Sequence, residues 1–481
     1  MAAADPMPGD EEAGPGPPGE TRSRRRPPEN EGAERGSDGG GGGGERGDKA
    51  GGGAAGTAQF RTAPLKFESR FESGNLKRAL RIGEWEYKLS MRDDVCLPQQ
   101  GGEVKQCTQW FYFRVGGARP GEKYVFNIVN FYKSESLFQE GMRPVLYSTT
   151  EAAAGKGWYR AGDDISYVAG TRRFVKNGKA GLYHMLRFTV AFPHVDDTCY
   201  IAMCYPYTYG DLQRFLAGVS TQAVRAARVQ RSVLCRTLAG NVVDLLTISS
   251  GVNNAKAVKL KPVVVLTGRV HPGESNASYM MHGVIDYLTG PSAVAQLLRD
   301  MHCFHVVPML NPDGVVNGNY RCNLSGNDLN RQWLAPDPFL HTEIYSLKKL
   351  MQGWAKEGRL LLFCDLHGHS NSRSIFLYCC DPAVSDLPTL VARRSLSFSL
   401  ANCTYKVAKR KLNTGRAVVY KELQCINSFT CEASFLGTEA SDGFPGAHLN
   451  QQNLRMFGAQ LCKALADYLV PDHAAALRSA S

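Results

Sequence analysis

Leu266 to Ala277 reads L-T-G-R-V-H-P-G-E-S-N-A. The apolar run Pro262 to Leu266 leads into it, and an amphipathic run, Ser278 to Leu288, follows. Such a series predicts a strand, a sharp turn and a helix. His271 and Glu274 are three apart on the turn, so imidazole and carboxylate can converge beyond the strand's carboxyl end, where open α/β sheets place their ligands. A catalytic zinc takes three protein groups and a water. The apolar run Leu360 to Leu366 ends in the same fashion, in C-D-L-H-G-H-S, and offers His367 as the third ligand. His369 is a rival: side chains at i and i+2 of a strand point the same way, so spacing leaves both open. Taken alone, His-x-x-Glu is equally well a turn histidine beside a helix-start acid. Its surroundings decide.

Around this core the chain has three regions. Residues 1–58 are rich in Pro, Gly, Ala and Glu, with Gly39 to Gly44 as a run, and too few large apolar residues to offset the entropy of folding. A disordered tail is expected there, and the cluster Arg22, Arg24, Arg25, Arg26 reads as a solvated charge run. Residues 59–207 carry short aromatic alternating segments between Gly/Pro turns: Glu84 to Met91, Gln109 to Val115, Lys123 to Val129, His184 to Phe192, Thr198 to Cys204. That spacing predicts an all-β sandwich. Val168 to Gly181 reads as a loose basic loop, with Arg172, Arg173, Lys176 and Lys179 as candidate docking residues.

Residues 208–472 alternate apolar strands with helical stretches, ahead of a short tail, 473–481. Helices are predicted over Ser278 to Leu288, Ala293 to Met301, Thr342 to Lys356, Ser385 to Leu400 and His448 to Leu469. Strands are predicted over Gln230 to Leu238, Asn241 to Ile248, Val263 to Thr267, Cys303 to Pro308, Leu360 to Leu366, Ser374 to Cys379 and Ser428 to Ser434. The class is α/β, a mixed sheet flanked by helices.

The formal net charge is +11. Residues 1–58 hold 7 Lys and Arg against 11 Asp and Glu, which leaves +15 on the remainder. A body so basic favours acidic partners. No nucleic-acid-binding signature accompanies the charge, so an acidic protein tail is the expected partner rather than nucleic acid. No apolar stretch is long enough to span a membrane, and no signal peptide is recognisable at the N-terminus. Most of the 14 cysteines sit in apolar runs without C-x-x-C spacing, which suits a reduced, intracellular protein.

Three further motifs follow in order: N-P-D-G (Asn311 to Gly314), N-Y-R-C-N-L-S-G-N-D-L-N-R-Q-W (Asn319 to Trp333) and N-S-F-T-C-E-A-S-F (Asn427 to Phe435). With the His-x-x-Glu turn, this series resembles the zinc metallocarboxypeptidases, and its spelling the cytosolic carboxypeptidases, the tubulin deglutamylase subfamily. The resemblance runs from about Phe67 to the C-terminal helix. F-E-S-G-N-L, T-Q-W-F-Y-F, G-M-R-P and C-Y-P-Y-T-Y look most like the type 2 and type 3 branch.

The resemblance implies a carboxypeptidase-like catalytic domain behind a β-sandwich, with one Zn²⁺ per chain on His271, Glu274 and His367. Asp365, two residues before His367, is placed to support it. Glu432 is a carboxylate in an apolar strand, where burial disfavours one. The family places its general base there. Arg321 corresponds to the residue that polarises the scissile carbonyl. Asn330 and Arg331 correspond to the anchor for the terminal carboxylate, and Arg416 in T-G-R to the basic residue that selects glutamate. Asn311 to Gly314 and Gly326 to Asp328 read as loop architecture, and no counterpart of the family's mobile tyrosine is identified.

The implied activity is removal of C-terminal acidic residues, with polyglutamylated tubulin as substrate and microtubules or other acidic C-termini as partners. A cytosolic monomer is expected, with microtubule, centrosome or cilium association as a finer expectation. Two rivals are a zinc amidohydrolase or deacylase of N-acyl amino acids and an inactive microtubule-binding module. The Asn330–Arg331 anchor and the β-sandwich oppose the first; the full set of ligands, base and clamp opposes the second.

Overall fold

The computed structural model describes residues 60–97, 107–176, 179–439 and 446–472. The expectations for residues 1–58, including the Arg22–Arg26 cluster, and for the tail 473–481 lie outside the described residues.

Residues 66–202 build two five-stranded sheets. One holds strands Lys66–Glu68, Tyr112–Gly116, Cys199–Ala202, Val145–Ser148 and Tyr159–Arg160. The other holds Arg78–Arg81, Glu86–Ser90, Lys123–Phe131, Lys179–Ala191 and Asp163–Lys176. Alternation along these strands turns aromatic rings inward. Phe113 of the first sheet meets Phe126 of the second at 6.2 Å, and Phe126 meets Phe188 at 5.6 Å. This is the expected sandwich, with one correction. Val168 to Gly181 is no loose loop: its arms are the two longest strands of the domain, paired across Phe174↔Gly181 and Ala169↔His184. Phe174 packs edge-on against Tyr132, 4.8 Å away, which anchors the hairpin where glycines and basic residues had suggested irregular chain.

The second sheet system has seven strands: β1 (Val229–Arg236), β2 (Val242–Ile248), β3 (Val263–Gly268), β4 (Cys303–Val307), β5 (Leu360–His369), β6 (Ile375–Tyr378) and β7 (Asn427–Ser434). Their spatial order is β1-β2-β4-β3-β5-β7-β6. The inner four are parallel, and the flanking pairs antiparallel. From β3 the chain moves outward to β4, then crosses back over β3 to β5. The crevice between the carboxyl ends of β3 and β5 is therefore a topological switch point, the preferred ligand position in such sheets.

Helices α1 (Ser275–Thr289), α2 (Pro312–Asn317), α3 (Thr342–Lys356), α4 (Gly415–Glu422) and α5 (Gln451–Leu469) carry the rest of the site's framework. The sequence reading missed α2 and α4, both short. Asn311 caps α2 through its side chain, and the same local hydrogen bonding makes N-P-D-G look like a loop. The helix expected over Ser385 to Leu400 closes at Arg394. Ser395 turns extended, and Phe398 then bridges to Ile375 of the sheet edge.

One apolar core runs from the β-sandwich rings through Tyr205 and Tyr207 into Leu266, Met280 and Leu461, so the sandwich and the helical layer are continuous. Helix α1 lies between the sheet and α5, and most of its residues are buried. The two helices meet at glycines. A Cβ on Gly283 would fall 1.9 Å from the carbonyl oxygen of Arg455, and one on Gly458 would fall 2.1 Å from that of Met280. Gly283→Ala should therefore lower the unfolding free energy by about 1–3 kcal/mol through overpacking. Gly353→Ala in α3, where a Cβ meets nothing within 4 Å, should raise it by about 0.5–1 kcal/mol. Urea unfolding of the two variants checks the contrast.

Candidate metal centre and substrate cavity

The turn after β3 is held by an arginine that the sequence reading passed over. Arg269 adopts a left-handed backbone, φ 59°, and its side chain is buried. Its guanidinium donates to the carbonyls of Pro272 and Tyr207 and to the Ser278 hydroxyl, each at 2.8 Å. These bonds fix the path from Gly268 to α1, so His271 and Glu274 leave it pointing into the crevice. Glu274 sits at the head of α1, yet its carboxylate caps no helix N–H. It turns inward instead.

There it lies between two imidazoles. Oε1 is 2.8 Å from His271 Nδ1, and Oε2 is 2.9 Å from His367 Nδ1 and accepts from the Gly368 N–H at 3.0 Å. The ligand atoms of His271, Glu274 and His367 all lie within 4.8 Å of one another, and all three residues are buried. The outer nitrogen of each ring faces a buried carboxylate: His271 Nε2 is 3.0 Å from Asp328, and His367 Nε2 is 2.6 Å from Asp365. An acceptor on Nε2 keeps the proton there and leaves Nδ1 as the donor atom, the arrangement metal-ligating histidines use. Burial alone would depress the affinity of His367 for a proton, but Asp365 and Glu274 raise it well above the ordinary value. Burial likewise opposes charge on Glu274, yet His271 and His367 hold its pKa well below the usual range. Two imidazoles and a carboxylate in such a field fit Zn²⁺.

His369, the rival ligand, is turned elsewhere. Its Nδ1 accepts from the N–H groups of Ser372 (2.8 Å) and Asn371 (3.3 Å), closing the turn after β5, and its Nε2 lies 3.4 Å from the Tyr378 hydroxyl. Burial lowers its pKa to about 4.

Glu432 on β7 is the register partner of His367 on β5. Its carboxyl is pushed up to about 7, chiefly by burial, with His367 pulling the other way. It lines a cavity of about 180 Å³ together with Asn330, Tyr378, Thr414, Arg416 and three cations of the 406–411 segment, Lys406, Arg410 and Lys411. The sequence reading had singled out only Arg416 among these cations. In the fold Arg416 is buried in the first turn of α4. It donates to the Cys379 carbonyl, and its guanidinium lies 5.7 Å from the Tyr378 ring.

The remaining candidates converge through Asp328. Arg321 Nε donates to Asp328 Oδ2 at 2.7 Å, while Oδ1 of the same carboxylate faces His271 and accepts from the Asn330 N–H at 3.0 Å. One buried acid thus holds His271 of the metal cluster together with Arg321 and Asn330, the two residues the resemblance assigns to the substrate. The sequence reading had placed it in loop architecture. Asn330 Oδ1 accepts from the Gly415 N–H at 2.9 Å, which orients its amide. Arg331 is half-buried, and one η nitrogen donates to the Asn330 carbonyl at 2.9 Å.

Metal analysis separates the two histidines of β5. His367→Ala should lose bound zinc, as should His271→Ala, whereas His369→Ala should keep about one equivalent per chain, the number one three-ligand site holds.

Comparison with known proteins agrees with this geometry. Residues 219–434 match the zinc carboxypeptidase family, and residues 67–202 match the cytosolic carboxypeptidase N-terminal domain. Cytosolic carboxypeptidase 3 of Bos taurus is 41% identical over 85% of this chain and 40% of its own length. Cytosolic carboxypeptidase 2 of Xenopus tropicalis is 42% identical over 85% of this chain and 42% of its own length, and cytosolic carboxypeptidase 1 of Mus musculus is 40% identical over 83% and 35%. The three types match almost equally, so these identities do not single out types 2 and 3. The chain spans about two fifths of the length of the curated relatives it matches. Among solved structures, a metallo-carboxypeptidase from Burkholderia cenocepacia superposes with a TM-score of 0.66 at 22% identity, over 84% of this chain and 99% of that one, a likeness of fold. With both domains matched in order and the ligand cluster assembled at the switch point, the chain belongs to the cytosolic carboxypeptidase branch of the zinc carboxypeptidases.

Proposed function

We propose that this chain is a zinc-dependent carboxypeptidase that removes C-terminal glutamates from acidic protein tails, polyglutamylated tubulin being the substrate the reading favours. The observation that carries it is the composition of the cavity. Lys406, Arg410, Lys411 and Arg416 line it, and one carboxylate, Glu432, stands beside the metal cluster. Zinc held by His271, Glu274 and His367 would supply a Lewis acid for the scissile carbonyl and acidify water there.

The chain's own groups do the rest. Glu432 takes the proton of the attacking water on a carboxylate oxygen and delivers it to the leaving amine nitrogen. Arg321, locked by Asp328, donates to the oxygen on which negative charge develops. Arg331 and the oriented Asn330 amide hold the terminal carboxylate, and Arg416 with its neighbouring lysines meets the acidic side chain. No described helix is long and apolar enough to cross a membrane, and the positive body adds long-range attraction for acidic tails.

Glu432→Gln should leave zinc in place and lower kcat by roughly 10²–10⁴. Burial raises the Glu432 carboxyl to about 7 in the metal-free chain, and a dication beside it lowers that value. In the wild type kcat/KM should thus fall with acidification through a limb at or below about pH 7, because protonation removes the base; pH profiles of the wild type and of Glu432→Gln measure it, and the same limb in the residual activity of Glu432→Gln excludes the role.

Selectivity is read with two peptides that differ only in a terminal Glu or Leu. A charge-assisted bond contributes about 1.5–3 kcal/mol, on the order of ten- to a hundredfold in kcat/KM. Arg416→Ala should cut the Glu/Leu ratio by up to that factor, with a residue of preference left to Lys406, Arg410 and Lys411. Arg331→Ala should weaken both peptides alike. An unchanged ratio in Arg416→Ala places acidic selectivity elsewhere.

A further inference from the structure

Away from the metal centre, Asp94, Cys107 and Cys322 form a second cluster, with the two sulfurs and a carboxylate oxygen all within 4.8 Å. Cys107 belongs to the β-sandwich, just before strand Tyr112–Gly116. Cys322 follows Arg321 on the active-site side. Asp94 and Cys322 are buried and Cys107 is half-buried. The Asp94 carboxylate accepts the N–H groups of Tyr320 (2.6 Å), Arg321 and Cys322 (both 2.8 Å). Asn319 binds both the N–H and the carbonyl of Val95, and the Leu97 N–H donates to Leu324. Segment 94–97 thereby clamps segment 319–324, and the two thiols hydrogen-bond across the clamp.

Two chemistries could use such a cluster. A structural zinc needs four ligands, usually thiolates and imidazoles. Here the carboxylate already accepts three N–H groups, and two thiolates would add charge beside it while the adjacent Arg321 is committed to Asp328. Two thiols in contact across a domain boundary suit sulfur–sulfur bonding better. We propose that Cys107 and Cys322 are a reversible redox pair, whose oxidation to a disulfide ties the β-sandwich to the loop that carries Arg321. Disulfides in reducing compartments are mostly transient or redox-sensing, which this placement fits.

With hydrogen peroxide as oxidant the step balances. The more accessible Cys107 sulfur attacks one peroxide oxygen, the O–O bond breaks, and Cys107 sulfenic acid and water form. The Cys322 sulfur then attacks the Cys107 sulfur; the S–O bond breaks, and the oxygen leaves as water with the Cys322 proton. Two thiols and one peroxide become a disulfide and two waters. The mutual hydrogen bond, then burial, push the Cys322 thiol far up, so the peroxide is met first by Cys107 rather than by Cys322. Closing to a bond of roughly 2 Å must shift the backbone next to Arg321. Arg321 then moves against Asp328 while the zinc ligands stay in place. That consequence rests on the carboxypeptidase reading above; formation of the bond does not.

The experiment treats the reduced full chain with hydrogen peroxide, alkylates the remaining thiols, digests without reduction and maps peptides by mass spectrometry. The expected result is a Cys107–Cys322 linked peptide and a kcat lower by roughly ten- to a hundredfold, the scale of an ångström misplacement near a reacting centre. Zinc content should stay unchanged, activity should return with dithiothreitol, and Cys107→Ser should keep its activity through the peroxide. Three findings overturn the pair: both thiols alkylated after oxidation, a link through the neighbouring Cys96 instead, or a second zinc equivalent that shields both thiols. The linked peptide is read on the unaltered chain, so a poorly folding Cys107→Ser leaves the test intact, with Cys107→Ala as second variant. A link without loss of kcat removes the coupling to Arg321. A link in a chain inactive before oxidation refutes the peptidase reading and leaves the pair standing.

Discussion

The Glu274 carboxylate lies between two imidazoles, and the α/β half of the molecule is arranged to keep it there. Three polar side chains are buried at the carboxyl ends of parallel strands, where each would cost several kcal/mol without partners. Each therefore has one. Asp328 and Asp365 take the outer ring nitrogens, Gly368 donates to the carboxylate, and Thr267 donates to Asp365 at 2.7 Å. Register does the rest. The pairing of β3, β5 and β7 sets Gly268 beside Leu366, and His367 beside Glu432, so one slipped residue in β5 would turn His367 to the opposite face. The strained backbone of Arg269 is tolerated because three hydrogen bonds over-determine it.

The β-sandwich is part of that arrangement. Lys133 reaches from it to the Ser370 hydroxyl at 2.7 Å and to the Tyr320 hydroxyl at 3.0 Å, immediately beyond β5 and beside Arg321. Arg160 donates to the Phe435 carbonyl at 2.6 Å, just past β7. Ser73 and Asp94 take backbone groups at Val315, Val316 and residues 320–322. Loops at the carboxyl end of a sheet are ordinarily its least constrained parts. Here the sandwich braces them, and the shared apolar core makes the brace rigid.

This division explains what could be read in the sequence. The strand–turn–helix around His271, the alternation of strands and helices and the misplaced carboxylate Glu432 are local signals, carried by period and by a residue type at odds with its neighbours. Asp328, Arg269 and the 406–411 cations carry no such signal. Asp328 meets His271 57 residues away and Arg269 meets Tyr207 62 residues away, contacts made by the fold rather than by local pattern. His367 and His369 show the limit sharply. Strand geometry points both to one side, and the turn that occupies His369 is made by backbone groups whose direction no spacing rule reveals. The basic hairpin was misread for the opposite reason: glycine and charge outweighed an alternation whose Phe174 packs between Tyr183 of the facing arm and Tyr132, just past strand Lys123–Phe131.

The cavity carries the last consequence of this arrangement. Burial, with Arg331 and Arg321 close by, depresses the Lys411 pKa, and Glu432 acts to restore it. Burial likewise lowers that of Arg331, which Asp328 partly offsets. Like charges so disposed repel one another, a tension natural proteins accept where function requires it. An anion entering the cavity relieves it, because each cation gains a partner without further desolvation of its neighbours. A chain end bearing both a terminal carboxylate and an acidic side chain brings two negative charges to a place that already holds the positive ones. An apolar end brings one. The proposed preference for acidic ends would then rest on electrostatic strain built into the folded chain, with Arg416 as one contributor to a field that several residues share.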